Sequence, residues 1–83
     1  MNPHVTRVIP QADHCLLLEF ANGETRLFDV TPYLDKGVFR ALRDSAEFAQ
    51  VQVVDGSVEW LGEIDLSYDT LYLRSVVVQS VSA

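Results

Sequence analysis

Two apolar runs flanking Ala21-Asn22-Gly23 constrain this chain more than any other feature. An Asn-Gly pair between such runs is a strong hairpin signal, because its turn calls for positive φ that these residues tolerate best. Residues 14–34 therefore read as two antiparallel strands. Before the turn, Leu16, Leu18 and Phe20 fall in one phase. After it, Phe28 and Val30 share a face, with Glu24 and Arg26 in the same phase beside the wetter turn.

Upstream, residues 4–9 alternate and predict a first strand, with Val5, Arg7 and Ile9 in one phase, Val8 in the other, and Pro10 as the stop. Short connections make the three strands a meander. Downstream, Thr31 is a candidate N-cap with Pro32 at the first helical position. Val38 to Arg43 predicts a short helix with Phe39 and Leu42 inward and Arg40 and Arg43 in water. Ser45 is a candidate cap, and Phe48 returns to the core.

Gln50 to Val54, Asp55-Gly56 and Ser57 to Leu61 repeat the hairpin logic, with Val58 and Trp60 on one face. Ile64 to Leu66 is a short extended piece. Ser67 and Asp69 suit a helix start, and the helix is favoured through about Arg74. A strand over 70–78 competes, because Val76-Val77-Val78 prefers β structure; residues 76–83 read as a flexible or extended tail. The fold class expected is α+β: one small domain over 1–83, an antiparallel three-stranded meander plus a second β-hairpin with two or three short helices.

A chain of 83 residues buries about 60–65% of its unfolded surface, enough for one modest core and with little room for a ligand pocket of the usual size. Its single cysteine, Cys15, cannot form an internal disulfide, which favours a reducing compartment. The N-terminus lacks a signal-peptide pattern, and the longest apolar runs are too short to span a membrane. A cytoplasmic protein with no membrane partner is expected.

Twelve acidic residues against six basic ones give a net charge of −6. Most of the excess follows Asp44. Such a surface repels phosphate, which argues against direct nucleic-acid binding and favours a basic protein partner. The chemistry-bearing residues are sparse. His4 and His14 have no metal-ligand spacing, and they read as strand-end surface residues. Cys15 follows His14 on a strand, where neighbours point to opposite faces; His4 could serve it instead. Asp29, Asp65 and Asp69 are the acidic candidates for acid–base or cation chemistry, although no metal-loop motif surrounds them. Trp60 reads as core. No cofactor or catalytic residue emerges.

Several segments taken together resemble a family of small bacterial proteins catalogued as domain of unknown function 2442: Leu18 to Glu24, Phe28 to Leu34, Gly37 to Leu42, Gly56 to Trp60 and Ile64 to Tyr72. The resemblance implies an α+β domain with two antiparallel groups of strands and no established catalytic residues. Some members carry a helix-turn-helix domain, and others sit beside a small protein in a toxin–antitoxin-like arrangement. Lacking that helix-turn-helix, this chain is expected to reach DNA only through a partner. The function expected is a non-enzymatic interaction or regulatory module, the antitoxin-like partner of a small toxin. Asp55, Glu59, Glu63, Asp65 and Asp69 would steer a basic protein, with Tyr68 and Tyr72 as anchors. The alternatives are a small ligand- or metal-dependent enzyme using Asp29, Asp65 or Asp69, and a homo-oligomer built on an open sheet edge at the first strand or at Val76–Val78.

Overall fold

The computed structural model describes residues 1–79. Strands β1 (Val5–Gln11), β2 (Cys15–Phe20) and β3 (Thr25–Asp29) form the expected meander. A fourth strand, β7 (Val76–Gln79), pairs antiparallel with β3, so the sheet order is β1-β2-β3-β7. The expected tail is thus an edge strand over its first four residues, and 80–83 lie outside the described residues. Its β-branched residues have a free edge of β3 to pair with once the preceding helix returns the chain there.

The first strand departs from expectation in two ways. It continues through Pro10, which pairs with Leu16; on an edge strand the missing N–H can be spared. A bulge between Val5 and Arg7 also changes the phase. Val5 pairs with Phe20 and Val8 with Leu18 on the core face, while Arg7 and Ile9 face outward.

The two hairpin signals resolve differently. At Asn22-Gly23 only Gly23 has positive φ, +89°. Its N–H donates to the Phe20 carbonyl at 2.9 Å, and Phe20 N–H donates to the Glu24 carbonyl at 2.9 Å. This is a three-residue loop with Gly in the left-handed position. At Asp55-Gly56 both residues have positive φ, +51° and +80°, and Val54 pairs directly with Ser57, a two-residue turn.

That tighter turn opens the second sheet: β4 (Gln52–Val54), β5 (Ser57–Trp60) and β6 (Ile64–Leu66) in sequence order. Two 3-10 segments, Thr31–Tyr33 and Gly37–Arg43, and helix α1 (Ser45–Phe48) connect the sheets, and α2 (Tyr68–Arg74) leads into β7. Acidic side chains take over two expected caps. Asp29 Oδ1 accepts from Thr31 N–H at 2.9 Å, and Asp44 Oδ1 accepts from Ala46 N–H at 2.8 Å. Ser67 caps α2 as expected, accepting from Thr70 N–H at 3.4 Å.

The core lies between the sheets. Leu16, Leu18, Phe28 and Val30 from one side meet Leu42, Phe48, Val58, Trp60 and Leu71 from the other. Trp60 is 3% exposed, and its indole N–H donates to the Phe48 carbonyl at 2.8 Å, so burial leaves no polar atom unmatched. Val5 N–H donates to the Gly56 carbonyl at 2.8 Å and joins the sheets at one end.

Candidate functional site

Four acidic residues of the second half, Asp55, Glu59, Glu63 and Asp65, lie on the small sheet and its turns. Val58, Trp60, Ile64 and Leu66 are buried, so strand alternation turns Glu59 and Asp65 to the opposite face. They are direct cross-strand partners, two like charges placed side by side. Asp55, in the turn before β5, lines the same shallow groove of about 240 Å³ together with Glu59 and Asp65. Glu63 occupies the turn before β6 with φ +62°. Asp69, in the first turn of α2, accepts from Asn2 Nδ2 at 2.8 Å.

Ion pairing among the described residues leaves these five without a cation, as it also leaves Asp13, Asp29, Asp44 and Glu47. Among the described residues the ion pairs are Arg7–Glu19, Arg26–Glu24 and Arg43–Asp35. None involves Asp55, Glu59, Glu63, Asp65 or Asp69. Arg43, expected in water, pairs with Asp35 and donates through Nε to the Leu34 carbonyl at 3.0 Å. The two tyrosines expected as anchors pack against the core while staying partly exposed. Tyr68 lies 4.3 Å, ring centre to ring centre, from His4. Tyr72 meets Phe20 edge-on at 5.2 Å and carries the Arg26 guanidinium on its face at 3.9 Å.

The candidates for chemistry are separated. His4 precedes β1, whereas Cys15 pairs with Gln11 at the far end of that strand, so β1 separates the two. His14 turns to Phe48, with ring centres 5.0 Å apart, and its Nε2 lies 3.2 Å from the Arg43 carbonyl oxygen. The Cys15 thiol is pushed up by burial first, then by Asp29 and Asp13, which keeps it protonated and a poor nucleophile. Asp29, Asp65 and Asp69 belong to three different elements: the end of β3, the middle of β6 and α2. Among the described residues, no three His, Cys, Asp or Glu side chains converge.

Sequence reasoning left little room for a pocket, yet a cleft of about 530 Å³ opens beside β3 and α2. Phe28, Pro32, Tyr33 and Leu66 supply its apolar lining, and Asp29, Lys36, Thr70 and Arg74 its polar lining. Lys36 and Arg74 have no ion-pair partner among the described residues. Residues of β3, the segment that follows it, the end of β6 and α2 line it. The sequence carried no local signal for it, because Lys36 and Arg74 are far apart along the chain.

Fold and site together define a small two-sheet α+β domain with Glu59 and Asp65 directly opposed on its smaller sheet and an open cleft lined in part by Lys36 and Arg74. Among the described residues no helix is long and apolar enough to cross a membrane. The chain belongs to the family described as Protein of unknown function (DUF2442), whose model matches residues 5–76. Neither the search of curated proteins nor that of solved structures found a match.

Proposed function

We propose that this chain is a non-enzymatic cytoplasmic interaction module that engages a basic protein through the outer face of its second sheet. The observation that carries the reading is the directly opposed Glu59 and Asp65, flanked by Asp55 and Glu63 and lacking any ion-pair cation among the described residues. Like charges held side by side cost stability in the free protein. A cation from a partner would relieve that cost and be steered by the same field. Blocking a small toxin in this way is the specific form that the toxin–antitoxin-like arrangement of some relatives suggests.

The test starts with affinity capture from the native cell and identification of a stoichiometric basic partner. Association kinetics are then measured against ionic strength for the parent and for Glu59→Lys/Asp65→Lys. The double reversal should slow association about tenfold or more at low salt and flatten the salt dependence. Unchanged kinetics would remove the steering role.

A second reading rests on the cleft. Lys36, Arg74 and Thr70 beside an apolar wall suit a small carboxylate- or phosphate-bearing ligand, and Asp29 is the acid available there for chemistry. Thermal-shift titration with inorganic phosphate and simple aromatic carboxylates tests it. A shift abolished by Arg74→Gln supports this reading, and no shift at any concentration rejects it.

A further inference from the structure

We infer that the outer face of the four-stranded sheet is a self-association surface, on which a second copy of this chain stacks sheet against sheet. Strand register carries the idea. Ile9 pairs with Leu17, Leu17 with Leu27, and Leu27 with Val76. Direct partners in antiparallel strands put their side chains on the same face. These four residues therefore form an unbroken apolar row across every strand of the sheet, on the side opposite Phe28. None belongs to the core cluster or packs against it. Leu27 is 36% exposed and Val76 68%.

Polar positions flank the row. Arg7, Glu19 and Thr25 lie on one side, with Arg7 and Glu19 paired at 3.4 Å; Gln11, Cys15 and Asp29 lie on the other. Charge selects the occupant. A chain of net charge −6 repels its own copies over most of its surface, and a basic partner is drawn to the acidic second sheet. The apolar row has no charge, and its nearest ion pair is internally neutralised. Two copies can approach here at least electrostatic cost.

The pattern is also self-complementary. A two-fold axis parallel to the strands, between β2 and β3, lays the row on itself in reverse. Ile9 then faces Val76 of the second copy, and Leu17 faces Leu27 of the second copy. Glu19 faces Thr25 of the second copy, and Asp29 faces Cys15 of the second copy, so no carboxylate opposes another. Sheets packed face to face keep their strands roughly aligned, as this arrangement requires. Four strands about 4.8 Å apart and about 20 Å long cover about 400 Å² per copy. Both copies together bury about 800 Å², below the roughly 1,200 Å² of stable complexes, so the dimer is weak and reversible.

Sedimentation equilibrium across a wide concentration range, up to the solubility limit, tests the inference. The parent should show a monomer–dimer equilibrium. Leu17→Glu, which enters the interface twice, should weaken the dimer by at least about tenfold while leaving the circular dichroism spectrum unchanged. Val76→Lys should act in the same direction from a position already mostly exposed, which guards against a folding defect. A monomer at every concentration overturns the inference. So does a dimer that persists in both variants, as an edge-to-edge pairing through β1 or β7 would.

Discussion

The Arg26 guanidinium lies 3.9 Å from the centre of the Tyr72 ring, and it also donates to the Tyr72 backbone carbonyl at 3.1 Å. Its Nε donates to Glu24 Oε1 at 2.8 Å, and Nη1, which bonds Tyr72, also donates to the Ser75 carbonyl at 3.3 Å. One side chain thereby satisfies carbonyls at the C-terminal end of α2 and ties that end to β3. The chain then enters β7 beside the strand it must pair with. Arg26 falls in the core-facing phase of the hairpin, and this contact explains how a cation is accommodated there.

Arg26→Ala should destabilise the domain by about 1–3 kcal/mol, combining lost charge-assisted hydrogen bonds with a lost cation–π contact. Arg26→Lys should recover only part of this, because an ammonium cannot supply the same fork. Urea unfolding of both variants measures the difference. Hydrogen exchange should show β7 amides losing protection first in Arg26→Ala.

The same contact makes stability pH-dependent. Hydrogen bonding to Arg26, foremost, holds the Glu24 carboxyl below its usual range. A depressed folded-state value means the unfolded chain binds protons more readily in that window. The contribution is therefore complete above the unfolded value of about 4.3 and is lost as pH falls through the lower folded value. Glu24→Gln should flatten the acid limb of the stability curve in that interval. An unchanged limb, followed by thermal unfolding from pH 6 downward, would show that other carboxyls control it.

Gly56→Ala should cost about 1–3 kcal/mol. Its φ is +80°, and an added Cβ would meet the His4 ring at 2.6 Å. The His4 Cβ would itself lie 2.8 Å from the added group, so a His4→Gly background should recover the steric part and leave the backbone part, and a double-mutant cycle separates the two.

Glu59→Lys should stabilise the free domain by about 0.2–1 kcal/mol, replacing a like-charge pair with an attractive one opposite Asp65. Under the proposed function the same substitution slows partner association. Stability and binding should move in opposite directions, which a merely solubilising acidic surface would not produce.

Trp60→Phe should cost about 1–3 kcal/mol. It removes the indole donor and leaves the Phe48 carbonyl buried without its partner. Chemical unfolding with a fluorescence-independent probe is the suitable measurement.

Local rules made much of the fold readable. Strand period 2 put Leu16, Leu18, Phe20, Val58 and Trp60 inside, and the Ser67 cap marked the start of α2. They were weaker where two physical demands compete. Asn22-Gly23 and Asp55-Gly56 look alike as dipeptides, yet one closes a three-residue loop and the other a two-residue turn. A single bulge between Val5 and Arg7 reversed the phase of the first strand, because one extra residue moves every later side chain to the other face. Ser45 and Thr31 were plausible caps, but Asp44 and Asp29 stood one and two residues earlier with acceptors better suited to a charge-assisted bond.

Sequence alone determined which residues needed burial, where the chain could turn, and that the net charge would be −6. Those properties follow from side-chain chemistry and from neighbours a few positions apart. Tertiary structure alone decided that Val76–Gln79 closes on β3, that Arg26 reaches across to Tyr72, and that Lys36 and Arg74 line one cleft. It also aligned Ile9, Leu17, Leu27 and Val76 into a row. Each of these depends on which strand lies beside which and in what register, a choice made by long-range packing that no local stretch of sequence encodes.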